Sequence, residues 1–331
     1  MSAMSTSPAA ALTESDIEAH RPALTGYCYR MLGSPFEAED AVQDTVLRAW
    51  RSRDRFEGRS SLKSWLYRIA TNVCLDHLDG RKRRATPMDL GPAKVAELAN
   101  LNVLPDDAWI EPIPDTLVSQ DPDPAEAAVR SESIRLAFVA ALQRLPARQR
   151  AALILCEVLH WKAAEAAELL ETSVASINSA LQRARDTLGD GADASATRVA
   201  DLGAGDQAFL TRYVDAFERY DMDALSSLIR EDATQSMPPY DLWLSGRDDI
   251  FEWWVGPGNA CRGSRMIPTI SANGSPAFGQ YKPAASGVGY EPWALQVIEI
   301  EDGRIGQLTF FLNTQTLFPL FDLPLTFEGQ A

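Results

Sequence analysis

Residues 38–50, AEDAVQDTVLRAW, and residues 55–84, RFEGRSSLKSWLYRIATNVCLDHLDGRKRR, decide the reading of this 331-residue chain. In the first run the spacing predicts a helix from about Pro35 to Arg51, with Val42, Val46, Ala49 and Trp50 on one apolar stripe. Asp40, Gln43, Asp44 and Leu47 lie on a neighbouring face. A leucine set among carboxylates and an amide suits docking on a basic partner surface with a small hydrophobic spot. In the second run a helix from about Ser61 to Gly80 buries Leu62, Trp65, Leu66, Ile69 and Val73. Its other faces carry Lys63, Tyr67, Arg68, Asn72, Asp76 and His77. Lys and Arg bind phosphate, Asn and Asp read base edges, and aromatic rings stack on an extruded base. That mixture suits an unpaired strand better than a smooth duplex. His77 has no second metal ligand three or four positions away and reads as a surface residue.

Working outward, the charge is segregated. Residues 51–84 carry ten basic and four acidic side chains, whereas the whole chain has 31 Lys+Arg against 46 Asp+Glu and a net charge of −15. Taken as one number, −15 argues against a nucleic-acid partner. By segment it is +2 over 1–85, −8 over 86–128, +2 over 129–189 and −11 over 190–331. The Pro- and Asp-rich stretch 86–128 and the Gly-, Ala- and Asp-rich stretch 189–206 have linker composition. The chain therefore divides into domains at 12–85, 129–189 and 205–328, joined by an acidic linker at 86–128 and a second linker at 190–204, with no internal repeat. With 46% hydrophobic and 23% charged residues the composition is that of a soluble protein. No stretch approaches the roughly 18 apolar residues of a membrane span, and the start lacks the basic and apolar regions of a signal peptide. The expectation is a cytoplasmic protein with no membrane partner. Cys28, Cys74, Cys156 and Cys261 are widely spaced without a CxxC, so reduced thiols are expected, and no metal site or cofactor is assigned.

Past the acidic linker, Ile134, Phe138, Ala141, Leu142 and Leu145 recur at helical spacing. The run 145–188, LPARQRAALILCEVLHWKAAEAAELLETSVASINSALQRARDTL, then reads as a helix-turn-helix. Pro146 suits a first helical turn, Lys162–Leu170 is a short helix, Glu171-Thr172 a turn, and Ser173 a cap for the last helix. In that helix Val174, Ile177, Leu181 and Leu188 face inward, and Ser176, Ser179, Ala180 and Arg183 form the opposite stripe. Small residues let a helix approach the major groove, and Arg183 reaches a guanine or a phosphate. Neither the linker nor these two helical segments contains a Gly-rich phosphate loop, a nucleophile elbow or a carboxylate pair at catalytic spacing.

From about Asp206 the pattern changes to two helices, around Phe209–Phe217 and Met222–Ile229, and a helical segment at 246–254. Strand-like runs follow at Arg265–Ser271, Ala277–Lys282, Trp293–Glu301 and Arg304–Asn313, the last two joined by the hairpin signal Asp302-Gly303. Helices followed by antiparallel strands read as α+β.

The runs 38–50 and 55–84 resemble the promoter-melting domain of bacterial RNA polymerase sigma factors of the extracytoplasmic-function (ECF) group. The resemblance implies that Asp40, Gln43, Asp44, Leu47 and Trp50 dock on core polymerase. It implies capture of the minus-ten non-template strand by Arg55, Phe56, Ser60, Ser61, Lys63, Trp65, Tyr67, Arg68, Asn72 and Asp76, with Trp65 also on the core stripe. Melting is a binding problem: a flipped base costs a few kcal/mol of stacking, offset by a pocket that accepts it only when extruded. Residues 129–189 resemble the minus-thirty-five-binding domain of the same family, which implies Ser173, Ser176, Asn178, Ser179, Gln182, Arg183 and Arg185 at the DNA. Asn178 and Ala180 stand where many relatives carry a basic residue, so phosphate anchoring is expected to be weaker.

The stretch 231–254, with the later PAFGQY and RIGQLTFFLN, resembles the SnoaL-like polyketide cyclases, cone-shaped NTF2-like folds related in shape to ketosteroid isomerase. The fold expected is therefore two all-α domains followed by an α+β cone. A cone curls its sheet around an apolar pocket, for which Tyr240, Asp241, Trp243, Tyr281 and Trp293 are the candidate lining residues. An enzymatic reading needs an acid or base inside, and Asp241 with Tyr240 is the one neighbouring carboxylate and phenol pair considered. No catalytic residue is assigned, because fold analogy alone does not give chemistry. The resemblance implies instead a regulatory domain in place of a separate anti-sigma protein, contacting the helical domains within the chain, with Arg247, Asp248 and Asp249 as contact or rim residues. Partners expected are core polymerase, promoter DNA and a small-molecule ligand in the cone. Two further readings stand beside this one: a ligand-sensing helix-turn-helix regulator that never joins polymerase, and an isomerase or cyclase in the C-terminal domain.

Overall fold

The computed structural model describes residues 12–118 except 57 and 59, residues 133–188 and residues 204–328. The chain starts with α1 (Glu14–Glu18), capped by Thr13, and α2 (Arg21–Leu32). Gly33 ends α2 in the left-handed region at φ 76°, where a side chain is disfavoured, and donates its N–H to the Tyr29 carbonyl. Ser34 and Pro35 then start α3 (Pro35–Ser52), and the Ser61 cap starts α4 (Leu62–Leu78). Tyr27 and Tyr67 meet edge-to-face at 5.2 Å in the centre of this first domain, and the Tyr27 and Thr71 hydroxyls bond at 2.7 Å.

Two short helices, α5 (Pro87–Leu90) and α6 (Asp115–Val118), lie between the first domain and the second. The second domain comprises α7 (Leu136–Gln143), α8 (Ala147–Leu153), a π turn over Ile154–Val158, α9 (Ala163–Leu169) and α10 (Val174–Leu188). Glu171 turns the chain at φ 51°, and the Ser173 hydroxyl accepts the Ser176 N–H at 3.1 Å, as the sequence leads one to expect.

The C-terminal domain contains α11 (Ala204–Arg219), α12 (Met222–Leu228), β1 (Ile229–Ser236), β2 (Trp243–Ser245), α13 (Arg247–Val255), β3 (Arg265–Pro268), β4 (Ala277–Pro283), β5 (Tyr290–Glu301), β6 (Arg304–Phe311) and α14 (Thr314–Leu320). Among the described residues the strands make one six-stranded sheet, ordered β2-β1-β6-β5-β4-β3. Its pairs are antiparallel except β1 with β6, which run parallel and depart from the purely antiparallel pattern expected. Asp302 and Gly303 both adopt positive φ, 51° and 74°, which matches the twist of the β5–β6 hairpin. Strand alternation splits the sheet into two faces. Phe278, Ala294, Ile298 and Phe310 pack inside the cone, whereas Ala277, Tyr281, Leu295, Val297 and Phe311 join an apolar cluster that continues into both helical domains.

The expected flexible acidic linker is, in its described part, a packed strap. Arg84 is only 8% exposed and donates to the carbonyls of Asp106 at 3.2 Å and Trp109 at 2.5 Å. It also pairs with Glu37 at 3.0 Å, so it is an anchor and not a phosphate ligand at the end of the basic run. Trp109, Ile110, Ile113 and Val118 are buried. Acidic and Pro-rich composition hides these anchors, which are spaced without a helical or strand period. Residues 119–132 and 189–203, which include the rest of both linkers apart from Ala204, lie outside the described residues.

Candidate nucleic-acid interface and cone cavity

On α3, Asp40 and Gln43 are exposed and Asp44 is half-buried. Leu47 and Trp50 stand 43% and 38% exposed, one helical turn apart, with the Arg53 guanidinium 4.2 Å from the Trp50 ring centre. Trp50 thus leaves the buried stripe on which periodicity put it and joins Leu47 on the outer face.

On α4 and the turn before it, Arg55, Ser61, Lys63 and Asn72 are exposed, Ser60 is half-buried, and Ser61 also caps the helix. Phe56 packs against Trp65 at 5.1 Å, and Asp76 pairs with Arg48 of α3 at 3.2 Å. Tyr67 does not present its ring to a strand. It is 1% exposed, packed between Tyr27 and Trp161, with its hydroxyl donating to the Ala23 carbonyl at 3.3 Å. It lies three or four residues from Ala70, Thr71 and Lys63, on the edge between two faces, where spacing does not decide burial.

On α10, Ser173, Ser176, Asn178, Ser179, Gln182, Arg183 and Arg185 are all exposed. Gln182 is held to Asp186 at 2.9 Å and Arg185 to Glu157 at 2.5 Å. Ala180, read as part of the outward stripe, is buried.

The two helical domains lie against each other. Arg68 of α4 pairs with Glu168 of α9 at 3.5 Å, and Tyr67 meets Trp161 at 5.3 Å. Buried Arg150 of α8 donates to the Met31 carbonyl and to Gln143 Oε1, and burial lowers its pKa to about 10. The cone closes the arrangement. Asn273, 1% exposed, donates to the Tyr29 hydroxyl at 2.7 Å and the Ile134 carbonyl at 2.5 Å while accepting the Ile113 N–H at 2.9 Å. One side chain thus joins first domain, strap and second domain. Glu299 of β5 faces Arg135 at 3.6 Å in a buried pair, and burial raises the Glu299 pKa. Arg247 bonds within its own domain, to Ser226 O at 2.9 Å, and is not an interdomain contact.

Inside the cone a cavity of about 130 Å³ is lined by Phe217, Tyr220, Met237, Tyr240, Trp253, Trp254, Gln280, Trp293 and Phe310, among others. Tyr240 and Trp293 line it as expected; Trp293 is the unpaired residue of a bulge between β4 and β5. Three candidates do not. Tyr281 follows Gln280 by one residue and so faces the opposite side, on Phe318 and Phe327. Asp241 is outside, ion-paired to Lys94 at 2.6 Å, and Trp243 donates its indole N–H to the Gly91 carbonyl. The helix residues Phe217, Trp253 and Trp254 were legible only as parts of helical segments, and Tyr220, which follows α11 at φ 57°, was not singled out. Among the described lining residues there is no carboxylate, imidazole or ammonium, and burial pushes the Cys261 thiol up to about 11.

Family models match the chain as Sigma-70 region 2 over residues 17–84, Sigma-70, region 4 over 135–188 and SnoaL-like domain over 210–307. The ECF RNA polymerase sigma factor SigG of Mycobacterium tuberculosis (strain H37Rv) is 43% identical over 311 residues, 93% of this chain and 82% of the relative. The chain belongs to the ECF RNA polymerase sigma factors. SigJ of the same organism is 27% identical over 319 residues, covering 90% of this chain and 91% of the relative. The crystal structure of SigJ has the same fold, with a TM-score of 0.57 at 24% identity over 95% of this chain and 100% of that one. As an ECF sigma factor the protein directs RNA polymerase to promoters, and its overall function is not enzymatic. A regulator acting without polymerase does not account for the region 2 match, so that reading falls away. Among the described residues no helix is long and apolar enough to cross a membrane.

Proposed function

We propose that the three-domain arrangement is a restrained state of this sigma factor, held by the C-terminal domain and opened when core polymerase binds. The observation that carries the proposal is the Arg68–Glu168 pair, which puts the strand-capturing face of α4 against the helix-turn-helix at 3.5 Å. Two promoter elements named minus ten and minus thirty-five lie about 25 base pairs apart, roughly 85 Å at ~3.4 Å per base pair. Domains in contact cannot bind both. The exposed Asp40, Gln43, Leu47 and Trp50 supply the polymerase-docking face without any rearrangement, with Asp44 at its margin. Arg55, Phe56, Lys63, Arg68 and Asn72 take the unpaired minus-ten strand, with Ser60, Ser61, Trp65 and Asp76 shaping that surface. Ser176, Asn178, Ser179, Gln182, Arg183 and Arg185 face the minus-thirty-five duplex, with Ser173 as the cap. The cone acts through contact and ligand binding; its described lining residues include no carboxylate, imidazole or ammonium.

The test is Asn273→Ala in transcription from a cognate promoter with limiting core polymerase. Losing three buried hydrogen bonds at about 1 kcal/mol each should release the domains and raise promoter-complex formation by roughly tenfold or more. Equal activity of variant and wild type, with the variant folded, contradicts the restraint.

A further inference from the structure

The outer wall of the cavity does not belong to the cone. Leu98 and Leu101, from the strap between the two helical domains, close it. The strap is tied there by the Lys94–Asp241 ion pair at 2.6 Å, and by N–H groups of Lys94 on Trp243 O at 2.9 Å, Asp241 on Asn102 O at 3.0 Å and Leu104 on Pro239 O at 3.0 Å. Its apolar side chains divide: Leu98 and Val103 are 63% and 64% exposed, whereas Ala96 is buried in the core of the cone and Leu101 packs against it. The cover over this apolar hole is therefore held by polar ties and by the apolar contacts of Ala96 and Leu101.

Gln235, Tyr220, Trp254 and Gln280 in the wall already have partners. Gln235 accepts the Trp254 indole N–H at 2.7 Å, Tyr220 donates to the Trp254 carbonyl at 2.5 Å, and Gln280 sits between Gln296 at 2.9 Å and Ser264 at 3.0 Å. An occupant gains from apolar and aromatic contact and finds no counter-charge. At about 130 Å³ the cavity is near the ~150 Å³ of an apolar cavity that stays dry and binds benzene.

We propose that the cone binds a small neutral aromatic molecule beneath the strap at residues 91–104, and that this ligand holds the strap down. The ligand touches Leu98 and Leu101 only while the strap is docked, so it favours the docked state, and by linkage docking favours the ligand. The same chain runs from the strap back to the Arg84 anchor and on to Ile113 at Asn273, so ligand and domain closure act on one segment. The consequence for transcription, a ligand that reinforces restraint, rests on the closed-state reading above; the coupling of ligand to strap does not.

The experiment uses the full chain with benzene and indole as probes, followed by calorimetric titration and by hydrogen exchange of residues 94–104. Binding is expected, with strap amides exchanging about fivefold or more slowly at saturation. Leu101→Ala removes a wall, and Lys94→Ala removes a tie whose ammonium is not among the lining groups; each should weaken binding by about fivefold or more. Failure of both probes to bind, binding without a change in strap exchange, or affinities unchanged in folded Lys94→Ala overturns the coupling. Polymerase takes no part, so these outcomes are independent of whether the domains separate on promoters.

Discussion

Asp115 gives the strap a dependence on pH. Its carboxylate accepts the Ser271 hydroxyl at 2.6 Å and the Gly274 N–H at 2.8 Å from the same loop that carries Asn273, and burial outweighs these bonds to push its pKa up to about 6. A carboxyl raised on docking binds its proton more tightly when docked. Its contribution is complete below the ordinary value of 3.8 and is lost as pH rises through about 6. The strap and loop should therefore hold more firmly at pH 5 than at pH 7.5, by no more than about 2 kcal/mol given the partial exposure of Asp115. Hydrogen exchange at residues 113–115 and 271–275 measures this, and Asp115→Asn should flatten the profile. At this scale the sequence was legible where one face is clearly apolar or clearly charged. It was not legible for Tyr67, Trp50 and Tyr281, amphipathic rings whose burial depends on a neighbouring element or on a strand register one residue out of step.

At the scale of elements, α4 has one buried face and one exposed face. Asn72→Ala should lower promoter opening with stability and core binding unchanged, because Asn72 is exposed. Tyr67→Ala should instead destabilise the fold by about 3–5 kcal/mol, seen as a lower melting temperature, because it empties a packed core site. On α10, Arg183→Ala should weaken DNA binding and, if the guanidinium lies on a phosphate, reduce the salt slope by about 1. The main helices, the Ser173 cap and the Asp302-Gly303 hairpin follow from local chemistry and could be read in advance. The strap could not, since Trp109, Ile113 and Leu101 have no period of their own and gain their burial from surfaces distant in sequence. The parallel β1–β6 pair is likewise a matter of topology.

At the scale of the molecule, the net charge of −15 divides into +2 over each helical segment, −8 over 86–128 and −11 over 190–331. Glu168 pairs with Arg68 at 3.5 Å and Glu37 with Arg81 at 2.5 Å, so each carboxylate neutralises a basic side chain of the helical domains. Free protein should accordingly bind promoter DNA weakly and with a marked salt dependence. The domains do not close completely: a cleft of about 550 Å³ lies between α7, α10 and β6, bordered by Arg135, Arg144 and Thr309. The junction around this cleft combines buried polar links, at Asn273 and at Arg135 with Glu299, with an apolar cluster shared by all three domains. The direct measurement is the distance between labels at the exposed Asp79, just after α4, and the exposed Ala164 on α9, by double electron–electron resonance, in the free chain and bound to core polymerase with promoter DNA. A short distance in the free wild type, tens of ångströms longer in the complex and partly lengthened by Asn273→Ala, is the predicted result. The same long distance in the free and bound protein would contradict a restrained state.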